Sequence, residues 1–214
     1  MNTISLSLVC PHIFQTQIPK TSDVWNKEVR FEKGKTYLVE AASGTGKSSL
    51  CSYLCGYRND YQGDILFDGR NIRQLSINDW SHVRSHQLSY LVQDLRLFPD
   101  LTAFENIAIK NQMTHHKSAE QIMEWLSQLG IADKRDVPVK YMSFGQQQRV
   151  ALVRSLVQPF DFILADEPIS HLDDDNAQRM CHLLLSEAQR HQAGVIITSI
   201  GKHIDLPYDS IYHL

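Results

Sequence analysis

A short β-prone run, Thr36-Tyr37-Leu38-Val39-Glu40, leads straight into a loop of small residues, Ala41-Ala42-Ser43-Gly44-Thr45-Gly46, closed by Lys47-Ser48. Behind it Leu50, Cys51, Leu54 and Cys55 repeat at helical spacing, and Gly56 is placed to end that helix in a left-handed conformation. Strand, small-residue loop and helix in this order constrain the chain more than any other feature, because backbone N–H groups of such a loop converge at the helix N-terminus and cradle an anion. The run fits the phosphate-binding pattern G-x-x-x-x-G-K-[ST] at every fixed position except the first, where Ala41 adds a methyl group. In this reading Ser43, Gly44, Thr45, Gly46, Lys47, Ser48 and Ser49 hold the phosphates of a nucleotide, with Lys47 reaching the β and γ groups and the Ser48 hydroxyl on Mg²⁺. The plain alternative is a glycine-bearing turn with a chance lysine, and the flanking strand and helix argue against it.

A second cluster sits at the end of an apolar run. Phe162-Ile163-Leu164-Ala165 has the length of a buried strand and ends in Asp166-Glu167-Pro168. Beside a phosphate loop, Asp166 can bind Mg²⁺ through water, and Glu167 can polarise the attacking water as a general base. Alone, the pair would read as a solvated strand end. A third segment, Tyr141-Met142-Ser143-Phe144-Gly145-Gln146-Gln147-Gln148-Arg149-Val150-Ala151, places Ser143 as the cap of a helix, with Gln146 three residues on to complete a capping box.

Period-two alternation at Thr3–Val9 and the run at Glu28–Phe31 predict two further strands, and Asp68-Gly69 between Asp64–Phe67 and Asn71-Ile72 predicts a hairpin. Ser89–Val92, Phe160–Ala165 and Val195–Thr198 read as strands, and Val150–Leu156 as helix. Ala177, Met180, Leu184 and Ala188 mark one face of another helix. Between about Asp94 and Met142 strand runs give way to helical patterning, with Ser118 and Gln121 forming a capping box. The fold class expected is α/β: a P-loop NTPase with a mostly parallel core sheet, an N-terminal antiparallel β subdomain and an inserted helical subdomain. The 214 residues form one domain, its core at 1–93 and 157–214 and its helical subdomain at about 94–156.

Composition excludes several classes. No apolar run approaches the roughly 20 residues of a spanning helix, and the start lacks the pattern of a secretory signal. The chain is therefore expected in the cytoplasm, without an appended regulatory or spanning domain. A net charge of -3 gives no sign of nucleic-acid binding, and none is expected. Cys10, Cys51, Cys55 and Cys181 match no zinc or redox spacing and read as buried thiols, while His115-His116 reads as a solvated loop.

The Tyr141–Ala151 segment closely resembles the signature of ATP-binding cassette (ABC) proteins, L-S-G-G-Q followed by Q-x-R, with Met142 in place of Leu and Phe144 in place of Gly. The resemblance extends over nearly the whole chain. Val92-Gln93-Asp94 with Leu97–Thr102 and Glu105-Asn106 is similar to the family's Q-loop, Ser170-His171-Leu172-Asp173 to its D-loop, and Tyr61–Ile65 with Asp68-Gly69 to its usual turn and hairpin. It implies ATP and Mg²⁺ as cofactors, with Gln93 on the metal and the water. It also implies that Ser143, Phe144, Gly145 and Gln146 contact a γ-phosphate held by the opposite subunit of a homodimer or heterodimer, with Asp173 in the D-loop. A membrane-embedded transporter or permease subunit is the implied partner, holding the chain at the inner face of the cell membrane. Phe14 is the candidate for the adenine-stacking aromatic, a core role being the alternative. After Val195–Thr198 the family places a histidine on the γ-phosphate, and this chain has Ser199, with His203 four residues on. Slow hydrolysis is the expectation. Besides a transporter subunit, a signalling or mechanical ATPase that moves no solute fits the same motifs; a P-loop kinase fits less, because it leaves the signature helix unexplained.

Overall fold

The computed structural model describes residues 1–14, 22–42, 44–201 and 206–214. In chain order its main elements are β1 (Thr3–Pro11), β2 (Glu28–Glu32), β3 (Thr36–Glu40), α1 (Lys47–Leu54), β4 (Tyr61–Phe67), β5 (Arg70–Asn71), α2 (Ile77–His82), β6 (Leu88–Leu91), α3 (Ala103–Asn111), α4 (Ala119–Gln128), α5 (Phe144–Leu156), β7 (Phe162–Asp166), α6 (Asp174–His191), β8 (Gly194–Ser199) and β9 (Ser210–His213). They build two sheets. An antiparallel sheet runs β2-β1-β4-β5, and a five-stranded sheet runs β6-β7-β8-β3-β9. Every pairing in the second sheet is parallel.

The parallel strands read as near-continuous apolar runs because both faces are covered. All five residues of β7 and all six of β8 are buried. On one face lies a core that includes Leu38, Ile163 and Ile197 with α3, α4, α5 and α6. On the other, Val39, Leu164 and Ile196 pack with α1 and the antiparallel sheet. Helix α5 packs against α3, α4, α6 and β6.

Register sets the site. Asp166 at the end of β7 lies opposite Thr198, and Glu40 at the end of β3 lies opposite Ser199. The carboxyl ends of three adjacent strands are thus level, which is where ligands bind in open parallel sheets. Several expectations shift in detail: the strand predicted from Phe160 begins at Phe162, that predicted at Ser89–Val92 is Leu88–Leu91, the helix predicted from Val150 begins at Phe144, and His116 lies half-buried with its Nε2 3.3 Å from His191 Nε2 instead of on a solvated loop. All four cysteines are free and buried.

Candidate nucleotide-binding site

The phosphate loop follows β3 directly, Ala41 N–H donating to the Ser199 carbonyl at 3.0 Å. Its turn is closed from within: the Thr45 hydroxyl donates to the Ala42 carbonyl at 2.8 Å. Gly46 precedes α1 at φ 98°, a conformation that disfavours any side chain. A Cβ there would also stand 2.9 Å from the Phe14 ring and 3.0 Å from the Trp25 ring. Trp25, 1% exposed, donates its indole N–H to the Thr45 carbonyl at 2.9 Å. The indole thus fixes the turn from behind while the glycine lets the backbone approach it.

A cleft of about 350 Å³ opens in front of this loop, lined by Phe14, Gly44, Gly46, Lys47, Ser48, Ser49, Gln93 and Glu167 among others. Of the residues expected to bind nucleotide, the fold therefore brings most together from four separate segments. Ser48 is exposed, and the Ser49 hydroxyl accepts from Arg58 at 3.0 Å. Phe14 lines the cleft and also packs against the core beneath it. Ser43 and His203 lie outside the described residues.

Behind the cleft is a buried charge cluster. Lys47 is 6% exposed and Asp166 2%, with 3.7 Å between Nζ and the Asp166 carboxylate, and Lys47 also pairs with Glu167. Burial pushes the Lys47 pKa down, and the Asp166 carboxylate opposes the shift. Asp166 is held in place by the hydroxyls of Thr198 and Tyr90, the latter at 3.3 Å. Glu167 sits at φ 48°, a left-handed conformation that costs a non-glycine residue about 1–2 kcal/mol. Its backbone N–H donates to the Thr198 carbonyl at 3.0 Å, so the sheet edge maintains that turn.

The signature residues stand apart from this cleft. Ser143 is exposed at the N-cap of α5, its Oγ accepting from Gln146 N–H at 3.3 Å while its own N–H donates to Gln146 Oε1 at 2.9 Å. Gly145 packs against Leu172, and Asp173 caps α6 by accepting from Asn176 N–H at 2.9 Å. Those backbone and side-chain amide donors hold the Asp173 carboxyl below its ordinary pKa. Ser199 is 4% exposed, whereas its neighbour Ile200 forms the cleft wall. Trp25, the anchor of the loop, was not among the residues singled out from sequence.

The chain matches the family model described as ABC transporter over residues 25–170. It belongs to the ABC transporter family. The chain is 30% identical over 180 residues to an uncharacterized ABC transporter ATP-binding protein, YclH, of Bacillus subtilis (strain 168), covering 82% of this chain and 78% of that one. Similarity to the lipoprotein-releasing system ATP-binding protein LolD of Buchnera aphidicola subsp. Schizaphis graminum is 32% over 174 residues, covering 80% and 76%. The fold matches the dimeric post-hydrolysis structure of the ATP-binding cassette MJ0796 bound to ADP and Pi, with TM-score 0.77, 22% identity and coverage of 92% and 87%. As an ATP-binding subunit of the ABC transporter family, the chain is an ATPase that works with a membrane partner. Among the described residues no helix is long and apolar enough to cross a membrane.

Proposed function

We propose that two ABC cassettes, two copies of this chain or this chain and a paralogue, enclose ATP between the phosphate loop of one protomer and Ser143–Gln146 of the other, and that hydrolysis reopens them. The observation that carries this reading is the convergence of Lys47, Gln93 and Glu167 on one cleft beside the loop. Hydrolysis joins a water oxygen to the γ-phosphorus and breaks its bond to the β–γ bridging oxygen, ADP and phosphate leaving. Glu167 takes the water's proton, Lys47 moves its charge to the β and γ phosphates, and Gln93 orients the water. The residues fit Mg²⁺: one ammonium beside two largely buried carboxylates leaves negative charge in excess. Ser48 and Gln93 would hold the ion, with Asp166 acting through water, and the ion would neutralise charge on the phosphates.

The partner's docking place is a groove of about 260 Å³ between β6, α3 and α5, continuous with the segment after Gln93. Arg84, Arg96, Lys110 and Arg154 line it, and no carboxylate does among the described residues. Phe98, Ile109 and Met113 line it too, each more than 40% exposed overall. An acidic segment with an apolar face complements this surface. Leu95 and Arg96 both have positive φ, 58° and 47°, and their carbonyls accept from the Arg154 guanidinium. Such a strained pair between Gln93 and the groove suits a segment with two arrangements. Through this partner the chain is held at the inner face of the membrane. Transport is the reading preferred; Phe144 at the signature and buried Ser199 favour slow switching, as in a signalling ATPase.

Glu167→Gln tests the proposal. Phosphate release is expected to fall about a thousandfold with MgATP affinity retained; turnover kept within about tenfold of wild type rules Glu167 out as the base.

A further inference from the structure

Phe144, which stands where the signature has glycine, touches a residue of the D-loop segment, His171. Phe144 meets the imidazole of His171 edge-to-face, with ring centroids 4.6 Å apart and planes at 70°. On its other side the imidazole is tethered, His171 Nδ1 lying 2.8 Å from Ser170 Oγ. The Ser170 hydroxyl donates in turn to the Glu167 carbonyl at 3.3 Å, and Gln148 donates to the Pro168 carbonyl at 3.1 Å. His171 is thus exposed yet held from two sides, on the face that carries Ser143, one residue from Phe144. At the end of β8, meanwhile, the buried residue is Ser199 and the cleft wall is Ile200. Neither side chain can become cationic.

We propose that His171 supplies, across the dimer interface, the imidazole that the strand end of the partner's cleft lacks. Because the Ser170 hydroxyl gives its proton to the Glu167 carbonyl, Nδ1–H donates to Ser170 Oγ, and in the imidazolium form Nε2 donates to a γ-phosphate oxygen of ATP held by the opposite phosphate loop. Phe144 is the buttress that fixes the ring, a positioning residue where glycine would leave the imidazole unsupported. No bond to the ring forms or breaks; it contributes a hydrogen bond that strengthens as charge builds on the phosphoryl oxygens. The inference rests on the dimeric ATPase reading above, and the Glu167 turn, tied through Ser170 to His171, links each protomer's own base to the donor it lends.

The experiment is ATP turnover by purified chain. His171→Ala is expected to lower kcat at least about tenfold with KM for ATP nearly unchanged, and His171→Gln, which keeps an N–H donor, to retain more than the alanine variant. Phe144→Gly should lower kcat in the same direction by less. Mixed dimers assign the side: Lys47→Ala on one protomer with His171→Ala on the other leaves one complete site, so it should turn over faster than a dimer carrying both changes on one protomer. Equal turnover of His171→Ala and wild type, or the reverse order of the mixed dimers, overturns the proposal. Glu167→Gln in the same assay separates the failures. If it abolishes turnover and His171→Ala does not lower it, only His171 is misassigned; if it leaves turnover intact, the reading of the cleft itself falls.

Discussion

Replacing Trp25 with phenylalanine separates the residue that shapes the phosphate loop from those that line it. The indole N–H bond to the Thr45 carbonyl, 2.9 Å long, is worth about 1 kcal/mol net, and leaving the carbonyl unpaired adds about another. Trp25 is 1% exposed and packs edge-on against Tyr53, so trimming the indole to a phenyl ring leaves a void costing about 1–2 kcal/mol. Together the loss is about 3 kcal/mol, a large share of a domain's marginal stability. Because the lost bond belongs to the loop, roughly half should appear as weakened nucleotide binding, about tenfold at 1.4 kcal/mol. Tyr37→Phe is the control: its hydroxyl accepts from Glu32 N–H at 2.8 Å, at the end of β3 remote from the loop. It should cost about 1 kcal/mol and leave affinity unchanged. Urea unfolding gives the stabilities, and titration of MgATP against a fluorescent analogue gives the affinities. Equal MgATP affinity in the two variants refutes the idea that the indole organises the loop.

Ser199→His should raise ATP turnover several-fold by adding a phosphate donor at the end of β8, checked by steady-state phosphate release; unchanged or lower turnover overturns the expectation that Ser199 slows hydrolysis. Burial, with smaller contributions from Lys117 and His191, pulls the His116 pKa from 6.5 to about 4. The unfolded chain therefore takes up this proton first, so His116 weakens the fold as pH falls from about 6.5 towards 4 and has no effect above that window. His116→Gln should flatten the loss of urea resistance between pH 7 and 5, and an unchanged pH slope contradicts it. Met113→Glu, at the mouth of the basic groove, should abolish co-purification with the membrane partner and leave basal turnover intact; retained co-purification moves the docking face elsewhere.

Much of this was legible because local chemistry agrees with the fold. The run Thr36–Glu40 is a strand over that whole span, Gly56 ends its helix at φ 66°, and Asp68 and Gly69 take the positive φ values the hairpin turn needs. The capping boxes at Ser118/Gln121 and Ser143/Gln146 both form. Helix α2 escaped because none of its six residues is buried, which leaves no apolar period; its Ser76/Asp79 capping box was the available signal. Strand β9 sits at a sheet edge with no buried residue. Trp25 escaped because its partner is a backbone carbonyl 20 residues away, and no spacing rule encodes such a contact. The positive φ of Glu167 is likewise imposed by the Thr198 carbonyl on the neighbouring strand, not by its own sequence. For the signature, the cap was readable, but the contact of Phe144 with His171 joins segments that meet only in three dimensions.

The central claim is that a complete site needs two chains, since Ser143 stands exposed and outside the cleft that holds Lys47 and Glu167. Light scattering of purified Glu167→Gln chain with and without MgATP addresses it directly. A shift from monomer to dimer on adding MgATP, lost again when Ser143→Arg is combined with it, is the predicted result; a chain that stays monomeric while saturated with MgATP contradicts the account.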